Sequence, residues 1–153
     1  MVQRNGTHDW GQLADTVGPR VRLLRNALAA LSIAALEDFG LPTGSLTVLS
    51  LIAANPGSSQ TVLAKAAGLN KSALVGIVDE LEQRGLAARD RSASDRRRNQ
   101  LSVTPAGEAA MKAMFERVRT GEDSVREALG RTDHAKLIEL LDRANDALER
   151  SQG

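Results

Sequence analysis

Five arginines fall within the sixteen residues RDRSASDRRRNQLSVT, positions 89–104. A guanidinium stays charged at any working pH and binds phosphates through two parallel hydrogen bonds. A cluster this dense is a tool for touching polyanions, a solvated surface loop or a basic linker. The charge is also local. From Arg84 to Gln100 six arginines stand against Asp90 and Asp95, a balance of +4 in a chain whose formal net charge is +1, which leaves −3 for the rest. Concentration of that kind favours a dedicated anion contact over a merely soluble surface.

Other chemistry is hard to place. There is no cysteine, which excludes disulfides, thiolate metal sites, cysteine nucleophiles and thiol-based sensing. The two histidines, His8 and His134, have no visible cluster of carboxylates or serines around them. No His/Asp/Glu spacing suggests a metal, and no glycine-rich loop would cradle a phosphate. The expectation is a protein that is not an enzyme and needs no metal or cofactor.

The elements that must position the arginines follow from periodicity. Val17, Val21, Leu24, Leu28, Leu31 and Ala35 form one apolar seam on a helix that ends at Phe39-Gly40-Leu41-Pro42. Such a seam serves ordinary core or contact between subunits. Thr43 can cap a second helix over 44–54, stopped by Asn55-Pro56-Gly57. Ser59 caps a third, with Val62, Leu63 and Ala66 expected to face inward. Asn70 caps a fourth over about 71–84, carrying Leu74, Ile77, Val78 and Leu81 at core spacing. Its first turn is small or polar, Lys71, Ser72 and Ala73, with Gly76 beyond.

Two helices joined by a short glycine-containing turn are a helix-turn-helix. The segment that follows sharpens this. Leu86 and Ala88 alternate with Ala87 and Arg89, and Leu101 and Val103 with Gln100 and Ser102, so two short strands with Leu86 and Ala88 on the inner face are expected. Because strands bracket the arginines, the basic-linker reading fails and a hairpin with a charged tip remains. That makes a winged helix, whose wing reaches a phosphate backbone or a minor groove while the preceding helix enters the major groove. Thr104-Pro105 then starts a helix with Ala106, Met111, Met114, Phe115 and Val118 on its apolar side. Beyond Gly121, Thr132 is placed to cap a last helix bearing Leu137, Ile138, Leu141, Ala144 and Leu148.

Taken together, the stretch VDELEQRGLAARDRSASDRRRNQLSVTPAG resembles the MarR family of bacterial transcription regulators. The resemblance rests on Asp79, Leu81, Gly85, Leu86 and Arg89, on an Asp-x-Arg wing tip (Asp95, Arg97), and on Val103, Thr104 and Gly107. It covers about 65 residues, from Leu41 to Gly107. It implies a homodimer interlocked by its first and last helices, with one winged helix per chain on a palindromic operator. Arg97 would then enter the minor groove, and Asp95 would hold the tip by pairing with a nearby arginine. One departure stands out, because Val75 and Gly76 replace a Thr-Arg pair that often touches DNA in this family. Base contacts should therefore fall on Lys71, Ser72 and Ala73, where an alanine can meet a thymine methyl.

The expected fold is mainly α with a small β-hairpin wing. It divides into an N-terminal dimerisation helix (1–40), a winged helix-turn-helix (41–104) and C-terminal dimerisation helices (105–153). The expected DNA-binding residues are Asn70, Lys71, Ser72, Ala73 and Gly76 on the recognition helix, and Arg89, Arg91, Asp95, Arg96, Arg97 and Arg98 in the wing. Expected partners are double-stranded DNA, a second copy of the chain and a small organic effector, an aromatic acid or an acyl thioester. Trp10, Arg20 and Arg25 are candidates to touch that effector. A winged helix that grips RNA or DNA without sequence preference is the alternative. The longest apolar run, Ala27–Leu36, is too short to span a bilayer, and no signal peptide is visible, so a cytoplasmic protein with no membrane partner is expected.

Overall fold

The computed structural model describes residues 9–91 and 99–151. After a short 3-10 turn at Gly11–Leu13 come α1 (Gly18–Leu36), a second 3-10 turn (Glu37–Phe39), α2 (Ser45–Ala54), α3 (Gln60–Ala66) and α4 (Lys71–Gln83). Two strands follow, β1 (Ala87–Arg91) and β2 (Asn99–Val103), then α5 (Pro105–Gly121) and α6 (Asp123–Ser151). The strands pair antiparallel, with Ala87 opposite Val103 and Arg89 opposite Leu101. Among the described residues no single helix is long and apolar enough to cross a membrane.

One core gathers α2, α3, α4, the sheet and α5. Val48, Leu49, Leu74, Val78, Leu81 and Met114 are completely buried in it. Helix α4 contributes most, because Leu74, Ile77, Val78 and Leu81 recur at helical spacing and leave its opposite side free. It meets α3 at 105°, the angle of a helix-turn-helix. The turn is fixed locally. Ser59 Oγ accepts from the Val62 N–H, and the Asn70 side chain accepts from the Ala73 N–H.

Helices α1 and α6 are built differently. Neither holds a buried residue, although α1 packs along α5. Helix α6 breaks at Gly130, whose φ of 67° favours glycine, two residues before the expected Thr132 cap.

Four sequence-based expectations are corrected. Thr43 does not cap α2; Gly44, at φ 94°, holds that position without a side-chain bond, and Ser45 Oγ donates back to the Pro42 carbonyl. On α3 the buried pair is Leu63 and Ala64, while Val62 and Ala66 are exposed. In β1 the inner face is that of Ala87 and Arg89, and Ala88 points outward. Phe115 and Ala106 of α5 are exposed, and Gly107 joins the expected Met114 on the buried side. In the last three places the choice between neighbouring positions depends on where the partner element lies.

Candidate nucleic-acid interface

The first turn of α4 is set up to present its end. Asn70 satisfies the Ala73 N–H at 2.8 Å, which leaves the positive end of the helix dipole facing outward. Lys71 and Ser72 are exposed there, Ala73 is half-buried, and Gly76 is exposed one turn on. A Cβ built at Gly76 would meet no atom within 4 Å, so nothing in the folded chain requires glycine. Ser72, Gly76, Asp79 and Gln83 line up as the outward strip of the helix.

The wing is tied to this helix through Arg89. Its Nη2 lies 2.7 Å from Asp79 Oδ1 and its Nη1 2.7 Å from Glu82 Oε2. Its backbone N–H also donates to Glu82 Oε1 at 3.0 Å. The side chain is only 20% exposed. The structure thus places Arg89 at the root of the hairpin, clamped to α4 and turned inward. The role of Glu82 was not read from the sequence; its spacing of three from Asp79, which puts both carboxylates on one helix side, was the available signal.

A second tie closes the far side of the hairpin. Thr104 Oγ1 donates to the Gly85 carbonyl at 2.6 Å and accepts from the Gly107 N–H at 3.0 Å, and the Thr104 N–H donates to the Leu86 carbonyl. Gly107 is packed so closely on the Leu86 carbonyl and Val103 that a Cβ there has no room. Arg91 ends β1 opposite Asn99. Asp95, Arg96, Arg97 and Arg98 lie outside the described residues.

A crevice of about 820 Å³ opens where the ends of α1 and α5 meet the start of α2. That size suits a small organic molecule, for which sites run roughly 300–1,000 Å³. Trp10, Arg20 and Arg25 are not among its lining residues. Arg20 instead lies over the Trp10 ring, 5.1 Å from its centroid, and donates to the Leu13 and Thr16 carbonyls. Arg25 donates to Asn26. One wall of the crevice adjoins α4, since Gly44 lies so near Ile77 that a side chain there would crowd its Cδ1.

Comparison with known proteins places this geometry in context. The profile of the MarR family matches residues 39–98. A proposed transcriptional regulatory protein for the hcr operon of Thauera aromatica is 38% identical over 104 residues, 68% of this chain and 63% of that protein, so the match spans less than two thirds of the relative's length. The transcriptional repressor CouR, bound to a 23-mer DNA duplex, is 30% identical with a TM-score of 0.78, over 92% of this chain and 99% of the other. CouR from Rhodococcus jostii RHA1 bound to p-coumaroyl-CoA gives 30% and 0.73, over 84% and 91%. The Mycobacterium tuberculosis protein Rv2887 in complex with p-aminosalicylic acid gives 25% and 0.70, over 84% and 98%.

Proposed function

Because the chain belongs to the MarR family of transcription regulators, we propose that it acts as a homodimeric repressor on a palindromic operator and is released by a small organic ligand. The observation that carries this reading is the clamp of Arg89 on Asp79 and Glu82, which makes the exposed start of α4 and the arginine-bearing hairpin one unit. Each chain lays Lys71, Ser72 and Ala73 into a major groove, with the helix N-terminus directed at phosphate. Arg91, Arg96, Arg97 and Arg98 carry the wing to the backbone, with Arg97 in the minor groove and Asp95 shaping the tip.

Two such units on a dimer read half-sites about one helical turn, roughly 10 bp, apart. The ligand occupies the crevice, where α1 and α5 meet the winged helix. There it changes the angle between the dimer helices and α4, and so the spacing of the two recognition helices. It releases DNA only to the extent that it binds the non-spanning arrangement more tightly. CouR with p-coumaroyl-CoA and Rv2887 with p-aminosalicylic acid support an acyl thioester or an aromatic acid as the ligand class.

Selection from a random duplex pool, followed by anisotropy titration at two salt concentrations, tests the reading. The expected result is one enriched inverted repeat bound by two chains. Salt-sensitive binding with no enriched motif would instead support a sequence-independent grip on DNA or RNA.

A further inference from the structure

The charge of the crevice separates the two ligand classes. Its walls are largely apolar, formed by Ile33, Leu36, Leu41, Leu46, Met114 and Val118, with the uncharged hydroxyls of Ser32, Thr43, Ser45 and Thr47 among them. Glu37 and Glu122 line it as well, and among the described residues no lysine or arginine does. Neither carboxylate has an ion-pair partner among the described residues. Arg117 of α5 pairs with Asp38 and does not line the crevice.

The backbone adds to this field. Helices α1 and α5 both end at the crevice, at Leu36 and Gly121, and a helix C-terminus is the negative end of its dipole. Only α2 begins there, behind Gly44, and it sets one positive helix end, its Ser45 N–H already taken by the Pro42 carbonyl, against two negative ends and two carboxylates.

We infer that the crevice admits an uncharged aryl-acyl group, presented as a thioester, and rejects the free carboxylate of the same acid. The inference rests on the crevice being the effector site proposed above. A carboxylate entering it would leave water for largely apolar walls, find no cation among the described residues, and face two like charges. The thioester keeps the ring and the carbonyl and carries no charge at that carbon.

Calorimetric titration of the full chain with benzoate and cinnamate, and with the N-acetylcysteamine thioester of each, tests this. At least one thioester is expected to bind tighter than its acid by about tenfold or more. The Glu37→Gln/Glu122→Gln variant is expected to gain affinity for the acid and keep that for the thioester. A wild-type protein that binds an acid as tightly as its thioester overturns the charge inference and leaves the effector site standing. An unchanged gap in the variant overturns the role of the two glutamates. If no probe binds, acid or thioester, the inference and the effector site both fall.

Discussion

Arg89 and Asp79 are ten residues apart in sequence and 2.7 Å apart in space, a bond that joins the hairpin root to the recognition helix. With Glu82 on the other guanidinium nitrogen, Arg89 is held from two sides of one helix turn. The geometry assigns Arg89 a positioning role, which separates it from the arginines of the wing tip. Asp79→Asn/Glu82→Gln removes two negative charges from a DNA-binding surface, so simple electrostatics predicts tighter binding. The clamp predicts the reverse, a loss of roughly tenfold or about 1.4 kcal/mol. Anisotropy titration on the selected operator reads the sign directly; tighter binding would remove Arg89 from the positioning role.

Arg97→Ala is expected to behave differently. A wing-tip arginine that neutralises one phosphate contributes about 0.9 to the slope of log K against log salt, and its loss should flatten the slope by that amount. The Asp79/Glu82 variant should leave the slope unchanged, because the clamp neutralises no phosphate. Equal affinity of Arg97→Ala and wild type would take Arg97 out of the interface.

Much of this arrangement was legible beforehand, and the reasons differ by element. The α4 core face was readable because Leu74, Ile77, Val78 and Leu81 leave no second periodic solution. The caps at Ser59, Asn70 and Thr104 follow from residues whose oxygens reach a free N–H. The face of β1 was not readable. Leu86 and Ala88 look more apolar than Ala87 and Arg89, yet an arginine can turn inward when two carboxylates wait for it. The crevice was equally hidden, since it joins Ile33, Leu46 and Val118 from three helices.

Gly107 should tolerate nothing larger. With no room for a Cβ against the Leu86 carbonyl and Val103, Gly107→Ala must move the start of α5 away from the hairpin and loosen the Thr104 bond to Gly85. Overpacking of this kind costs about 1–3 kcal/mol. Thermal and urea unfolding should show it as a lower Tm and midpoint. An unchanged midpoint would mean that α5 shifts freely.

Gly76 is the opposite case, a helical glycine in open space. Replacing it by alanine should stabilise the folded chain by up to about 1 kcal/mol, since glycine is the poorer helix former. If its bare backbone lets α4 lie close to DNA, the same variant should bind the operator more weakly. A gain in stability with unchanged DNA affinity would mark the position as neutral drift.

The surface of α1 and α6 demands a cover. Leu23 and Ile33 of α1, and Ile138 and Leu148 of α6, are each half or more exposed, and neither helix has a buried residue. Apolar surface of this extent marks an interaction site, and α6 is too sparsely packed on its own chain to owe its stability to it. In the homodimer proposed above, a second copy of the chain would supply the matching face. Ile138→Glu/Leu148→Glu changes two exposed positions, so it should cost the isolated chain little, yet it would bury two charges in a dimer. Sedimentation velocity should show the wild type as a dimer and the variant as a monomer. Operator affinity should fall with it, because each monomer keeps its α4 and wing but loses the second half-site. A variant that remains dimeric would place the subunit contact elsewhere, on the α1 seam from Val17 to Ala35 without α6.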